Sequence, residues 1–219
     1  MKKLIIIVFA LCIGGVNSYA QTAKERQEMQ KLSKSELNAK ATKAASKAAK
    51  QDIKAGWTVA PGHLPLEKQY DRSYLMQSDI DEEGYPKYLT GDATSIGSTY
   101  DAAKMQALEM AKIRIAEQME TQIAGLVENS VSNNQLGADE AASVTKTIQS
   151  SKSKITQSLG RVIPVVECYR NLKNKNKEVR IVVAYNSKTA LEVGKKIIRE
   201  QLEQENSDLH KKLEDIIGF

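Results

Sequence analysis

Two runs rich in β-branched residues, "RVIPVVECYR" at 161–170 and "EVRIVVAYN" at 178–186, most constrain what this chain can fold into. Valine, isoleucine and tyrosine suit a pleated, half-buried surface. Joined by the polar segment "NLKNKNK", the two runs read as an antiparallel hairpin whose loop is longer than the tight two-residue type. Pro164 has no backbone N–H to give a ladder, so it marks an edge or a bulge in the first strand.

The rest of the chain reads mainly as helix. Aromatic residues make up 5 % of the sequence, so alanine, leucine, isoleucine, valine and methionine must fill most of the core. In "YLTGDATSIGSTYDAAKMQALEMA", residues 88–111, a strand is expected from Tyr88 to about Ser95, then a glycine-bearing turn. Ser98 with Asp101 three residues on reads as a helix N-cap with an acidic first turn. The helix that follows runs for about thirty residues. Met105, Leu108, Ile115, Met119, Ile123 and Leu126 lie along one side, while Ala103, Ala107 and Ala111 leave another side open to close approach. "NSVSNNQLG" breaks the pattern, a second helix spans Ala138 to Leu159, and Gly160 stands where a helix C-terminus commonly ends. After the hairpin, Ser187 and Thr189 compete to cap a last helix, Thr189 having Glu192 at capping-box spacing. Leu191, Ile198 and Leu202 form its apolar side; Leu209, Leu213, Ile216 and Ile217 suggest a short amphipathic end. Strand, helix, helix, strand, strand, helix is an α+β order, with a small, mainly antiparallel three-stranded sheet packed against long helices.

Three segments precede this core. Residues 1–20 carry Lys2 and Lys3, an apolar run from Leu4 to Ile13 and the small-residue pattern Ser18-Tyr19-Ala20, the layout of a secretory signal peptide. The run is shorter than the roughly 20 apolar residues a bilayer span needs. Lipidation at Cys12 is disfavoured, because Leu11 stands where a small residue is wanted. Residues 21–55, rich in Lys, Ala, Gln and Glu, read as an Ala/Lys-rich helical arm or spacer. Within it Lys40, Lys43, Lys47, Lys50 and Lys54 alternate steps of three and four, forming one narrow basic stripe. The stripe reads either as a solvated face or as a contact to an anionic polymer or lipid surface. "GWTVAPGHLP" at 56–65 breaks the helix; Trp57, the one tryptophan, should anchor this segment onto a domain spanning 56–219. Pro65 opens a short helix with Leu66, Tyr70 and Tyr74 at every fourth position, closed by the turn "SDIDEEGYP".

No motif signals catalysis. The glycine corner has Gly91 and Gly97 but Ser98 where a phosphate-binding loop needs lysine, and Asp92 and Asp101 would repel a phosphate. "DIDEEG" places Asp79, Asp81, Glu83 and Gly84 as the start of a calcium loop would, yet Thr90 occupies the position of the closing glutamate. His63 and His210 belong to no zinc spacing, and no nucleophile elbow occurs. Cys168 sits in a strand pattern as a buried small hydrophobe. The sequence therefore implies no enzyme activity, no cofactor and no metal. The hairpin tip gathers Arg170, Lys173, Lys175, Lys177 and Arg180 without the interleaved aromatics of a single-strand nucleic-acid platform, so nucleic acid is not an expected partner. The preferred reading of the tip is a charged loop that discourages edge-to-edge pairing.

"YPKYLTGDATSIGSTYDAAKMQALEMAKIRIAEQM" and "EVRIVVAYNSKTALEVGKKIIREQLE" together resemble the Lpp-twenty family of small envelope lipoproteins and the N-terminal domain of the flagellar assembly protein FlgT. The features shared are Tyr88 and Gly91 on the strand and Ala103, Ala107 and Ala111 on the helix. The region from Ala60 onward is also similar to secreted proteins of Gram-negative bacteria. The resemblance implies an exported, periplasmic or outer-membrane-associated protein without catalytic residues; a lipidation box is missing. The function expected is that of a non-catalytic cell-envelope protein acting through contacts with other envelope proteins, as an accessory or assembly component. The alternative is a binder of anionic envelope polymer or lipid through the lysine stripe, with a hydrolase whose cleft is hidden from the sequence as a third.

Overall fold

The structure, a computed structural model, describes residues 40–133 and 136–205 and positions 208, 209, 211 and 213. The expected signal peptide, residues 21–39 of the arm, His210, Ile216 and Ile217 lie outside them. The elements are helices α1 (Lys43–Lys54) and α2 (Leu66–Ser78), strand β1 (Tyr88–Gly97), helices α3 (Tyr100–Ser132) and α4 (Ala138–Ser158), strands β2 (Ile163–Asn171) and β3 (Lys177–Asn186), and helix α5 (Ser187–Glu205). The three strands form one antiparallel sheet in the order β1-β3-β2, so the fold is α+β.

β3 is central, and its alternation distributes the core over both faces. Val179, Ile181, Val183 and Tyr185 pack with residues of α3 and α5, while Val182 and Ala184 meet Trp57, Leu66 and Met76 on the side of α1 and α2. β1 and β2 are both edge strands. On β2 the register shifts between Pro164 and Val166, the bulge that the proline implied.

α3 starts one residue later than the Ser98 cap predicts. Thr99 is the cap, its hydroxyl accepting from the Ala102 N–H at 3.2 Å, with Asp101 in the first turn. Its buried positions Ala103, Ala107, Ala111, Ile115, Met119, Ile123 and Val127 recur in strict steps of four. Each such step overshoots a turn by about 40°, so the stripe winds around the helix. Its first half faces the sheet and its second half faces α4 and α5. Of the expected core side, Ile115, Met119 and Ile123 are buried and Leu108 packs against the core, but Met105 is 69 % exposed, and in the first turns of the helix the alanines point inward instead. The cause is on β1, where a Cβ built on Gly91 would stand 2.1 Å from the Ala111 carbonyl oxygen. One built on Gly97 would stand 2.7 Å from the Ala103 nitrogen. Helix and strand touch backbone to backbone.

Two more termini differ from expectation. α5 is capped by Asn186, whose Oδ1 accepts from the Thr189 N–H at 3.0 Å, and not by Ser187 or Thr189. α1 begins at Lys43 behind the Thr42 cap, so Lys40 precedes the helix and does not share its stripe. Ala45 and Ala49 are buried against the domain, so the described part of the arm is packed onto the fold. Among the described residues, no helix is long and apolar enough to cross a membrane.

Candidate functional site

The basic residues singled out in the sequence divide by environment. Lys43, Lys47, Lys50 and Lys54 are exposed on α1, opposite the face that carries Ala45, Ala49 and Asp52. At about 100° per residue the two faces lie half a turn apart. The alanine side of α1 is thus consumed by the fold, and what remains outward is mainly charge, with Ile53 exposed beside it. Lys173 and Lys175 are exposed at the hairpin tip, whereas Lys177 donates to Asn171 and Arg170 to Glu178. Arg170 also reaches the Ala55 carbonyl at 3.4 Å, which brings the end of α1 to the base of the hairpin. The end of α1 and the base of the hairpin, distant in sequence, therefore adjoin.

Trp57 makes that junction. It is 4 % exposed and lies against the guanidinium groups of Arg170 and Arg180, whose centres stand 4.8 and 4.2 Å from a Trp57 ring centroid. Arg180 donates to Asp52 of α1 at 2.7 Å and to the Tyr70 hydroxyl at 3.1 Å, while Tyr70 donates to Asp52. Burial alone would lower the Arg180 pKa, but the Asp52 carboxylate together with Tyr70 and Cys168 outweighs it and raises it; burial and the bond to Asp52 push the Tyr70 pKa up. Cys168 lies in the same cluster, its thiol pushed up to about 12 by burial, which leaves it inert at neutral pH. This is a clamp on α1, built from residues whose cation–π and ionic roles the sequence reading left unassigned.

The second charged cluster is one the sequence reading missed. Glu167 on β2 is 5 % exposed, and its Oε1 accepts from Lys104 at 2.6 Å, from Tyr100, and faces His63 Nε2 at 3.2 Å. Its own backbone N–H, pointing off the free side of β2, is taken by Gln69 Oε1 at 2.6 Å. Burial would raise the Glu167 pKa, but the bonds from Lys104 and Tyr100 outweigh it and hold the carboxyl below its usual range. Burial and the bond to Glu167 push Tyr100 upward. The acid is thus ionised and occupied by groups that position α3 and the 61–65 loop. A signal did exist in the sequence: a glutamate inside an apolar strand demands a buried partner.

β2 is further covered by Thr58, which exchanges two 2.8 Å backbone bonds with Tyr169. Among the described residues, β1 has no such cover over most of its length. Gln118 of α3 donates to the Thr90 carbonyl at 2.8 Å, so that carbonyl points away from β3. By the alternation of a strand, the N–H and C=O groups of Asp92, Thr94 and Ile96 point the same way. These three side chains are exposed, Ile96 to 53 %. Beside this edge the outer flank of α3 carries Gln106, which accepts from Ser95, and the exposed Met110 and Ile113.

The other candidates are structural. The space a phosphate would need at Gly91 and Gly97 is filled by the α3 backbone. In the acidic turn, Asp81 accepts from the Glu83 and Tyr85 N–H groups and Asp79 pairs with Lys87 at 3.5 Å. Among the described residues, no cluster of histidine, cysteine or carboxylate groups is set to hold a metal ion. No family model, curated protein or solved structure matches this chain.

Proposed function

We propose that this chain is a non-catalytic protein of the cell envelope that works through protein–protein contact, with the β1 edge as the contact surface. The observation that carries the reading is the asymmetry of the two sheet edges. β2 is bulged and sealed by Thr58 and Gln69, whereas among the described residues nothing covers β1 at Asp92, Thr94 and Ile96. An uncovered strand without lysine, proline or a bulge is a template for another strand. The leader-like residues 1–20 support export to the periplasm or outer membrane, and the occupied state of Glu167 supports a positioning role for that acid.

A photo-reactive residue at position 96, introduced in intact cells, tests this. A discrete protein adduct is expected there and not at position 53, an equally exposed apolar site on α1 (Ile53, 59 % exposed). Equal labelling at both positions, or none at 96, refutes it.

A second reading, contact with an anionic polymer or lipid surface, is favoured by the exposed lysines of α1, whose end adjoins the base of the hairpin that carries the exposed Lys173 and Lys175. Charge is then the main attraction, because Ala45 and Ala49 are not available for insertion and Ile53 is the one large apolar side chain exposed on α1. Retention on anionic vesicles at low salt that survives Lys43→Glu, Lys47→Glu and Lys50→Glu together counts against it.

A further inference from the structure

We propose that a linear acidic polysaccharide lies along α1, held by the row Lys43, Lys47, Lys50 and Lys54. This deepens the anionic-surface reading, rests on it, and commits it to a chain polymer. At about 1.5 Å per residue the four positions span ~16 Å, and at about 100° per residue they stay within ~60° of arc. The row is therefore a line of like charges at i, i+3 and i, i+4, which repel one another on a helix. The other helices of this chain set acids between their exposed cations. Lys112 pairs with Glu109 and Arg114 with Glu117 at 3.0 Å on α3, and Lys196 with Glu200 at 3.8 Å on α5. Among the described residues, no carboxylate pairs with the α1 row. The carboxylates that α1 and α2 do carry are bound elsewhere. Asp52 accepts from Arg180 at 2.7 Å, Glu67 from Ser46 at 3.4 Å, and Asp71 from the Thr42 N–H and hydroxyl at 3.0 and 2.6 Å.

The surroundings of the row select the anion. A groove of about 500 Å³ lies along it, lined by Lys43, Ser46, Lys47, Lys50, Gln51 and Lys54. The hydroxyl and amide groups set among the ammoniums suit a polymer that carries hydroxyls as well as acidic groups. A protein partner fits less well, because none of these lining residues is an aromatic or large aliphatic anchor. A bilayer fits less well for a reason of angle. Ile53, 59 % exposed, lies about 90° around the helix from the row, so it cannot enter a membrane that the lysines face. The helix is also fixed in place. Thr42 bonds to Asp71 at its start and Asp52 to Arg180 near its end, so the row is ordered before a ligand arrives.

Calorimetric titration of the purified full chain with polygalacturonate at several salt concentrations tests this. Each lysine engaged should contribute about −0.7 to the slope of log K against log[salt], the single-strand value, so roughly −3 in all. Trigalacturonate offers three carboxylates to four lysines and should bind at least ~10-fold more weakly. Lys47→Gln with Lys50→Gln should make the slope shallower by about 1.4, with unchanged circular dichroism. Arg161→Gln, which removes an exposed cation outside the row, should leave the slope as it was. Absence of binding at low salt overturns the proposal. So does a slope that responds to Lys173→Gln with Lys175→Gln and not to the α1 pair, or trigalacturonate that binds as tightly as the polymer. Vesicles containing phosphatidylglycerol form the parallel arm. If they retain the chain through the α1 lysines while polygalacturonate does not, the polymer is refuted and the anionic-surface reading stands; if neither retains it, both fail.

Discussion

Gly91 on β1 and Ala111 on α3 meet backbone to backbone: a Cβ added to the glycine would stand 2.1 Å from the alanine carbonyl oxygen. Neither the helix nor the central half of the sheet can yield there, because Val183 pairs with Gly91 on the other side. Gly91→Ala should therefore cost about 3 kcal/mol or more, through displacement of α3. Gly194→Ala provides the contrast. Its added methyl meets the far end of the Ile123 side chain at 2.8 Å, which can rotate, and the helix gains about 1 kcal/mol of propensity. Urea unfolding of the two variants should show a large shift for the first and less than about 1 kcal/mol for the second.

Asp52→Ala should loosen α1 from the sheet. It removes the carboxylate that Arg180 and Tyr70 share, at a cost of about 1–2 kcal/mol given that Arg180 is a third exposed. Trp57 is the one tryptophan and sits in the same clamp, so its fluorescence reports the event directly. A red-shifted emission before global unfolding is expected, and an unchanged spectrum would mean that α1 is held by its other contacts, the burial of Ala45 and Ala49 and the bonds from Thr42 to Asp71.

Glu167 predicts an acid limb in stability. Its folded pKa lies below the unfolded value, so the folded state holds the ionised form more tightly. The stability it contributes is present in full above about pH 4.3 and is lost as pH falls through the folded value. Glu167→Gln should lower the melting temperature at pH 7 and flatten its fall below pH 4 relative to the parent chain. Parallel curves for the two proteins would show that the acid limb arises elsewhere.

The outward lysines should be nearly neutral to folding. Lys47→Ala and Lys50→Ala alter a face opposite the packed one, and each is expected to change stability by less than about 0.5 kcal/mol. A larger loss by thermal denaturation would mean that the stripe is covered.

The sequence determined the element types, their order and the α+β class. Those follow from period, turn chemistry and propensity, which are local: the β-branched runs, Pro164 at the bulge, Gly160 past α4 with its positive φ, and Trp57 as an anchor could all be read directly. Cap residues were misplaced by one to three positions, since Ser98 and Thr99, or Asn186, Ser187 and Thr189, offer competing oxygens of similar chemistry. Tertiary structure decided the rest. Lys104 and Glu167 are 63 residues apart, and Asp52 and Arg180 are 128 apart, so no spacing rule joins them. Which face of α3 is buried depended on how closely Gly91 lets the helix approach. The open edge of β1 depended on β3 taking the centre of the sheet, because the same strand in the middle would have no free backbone groups to offer.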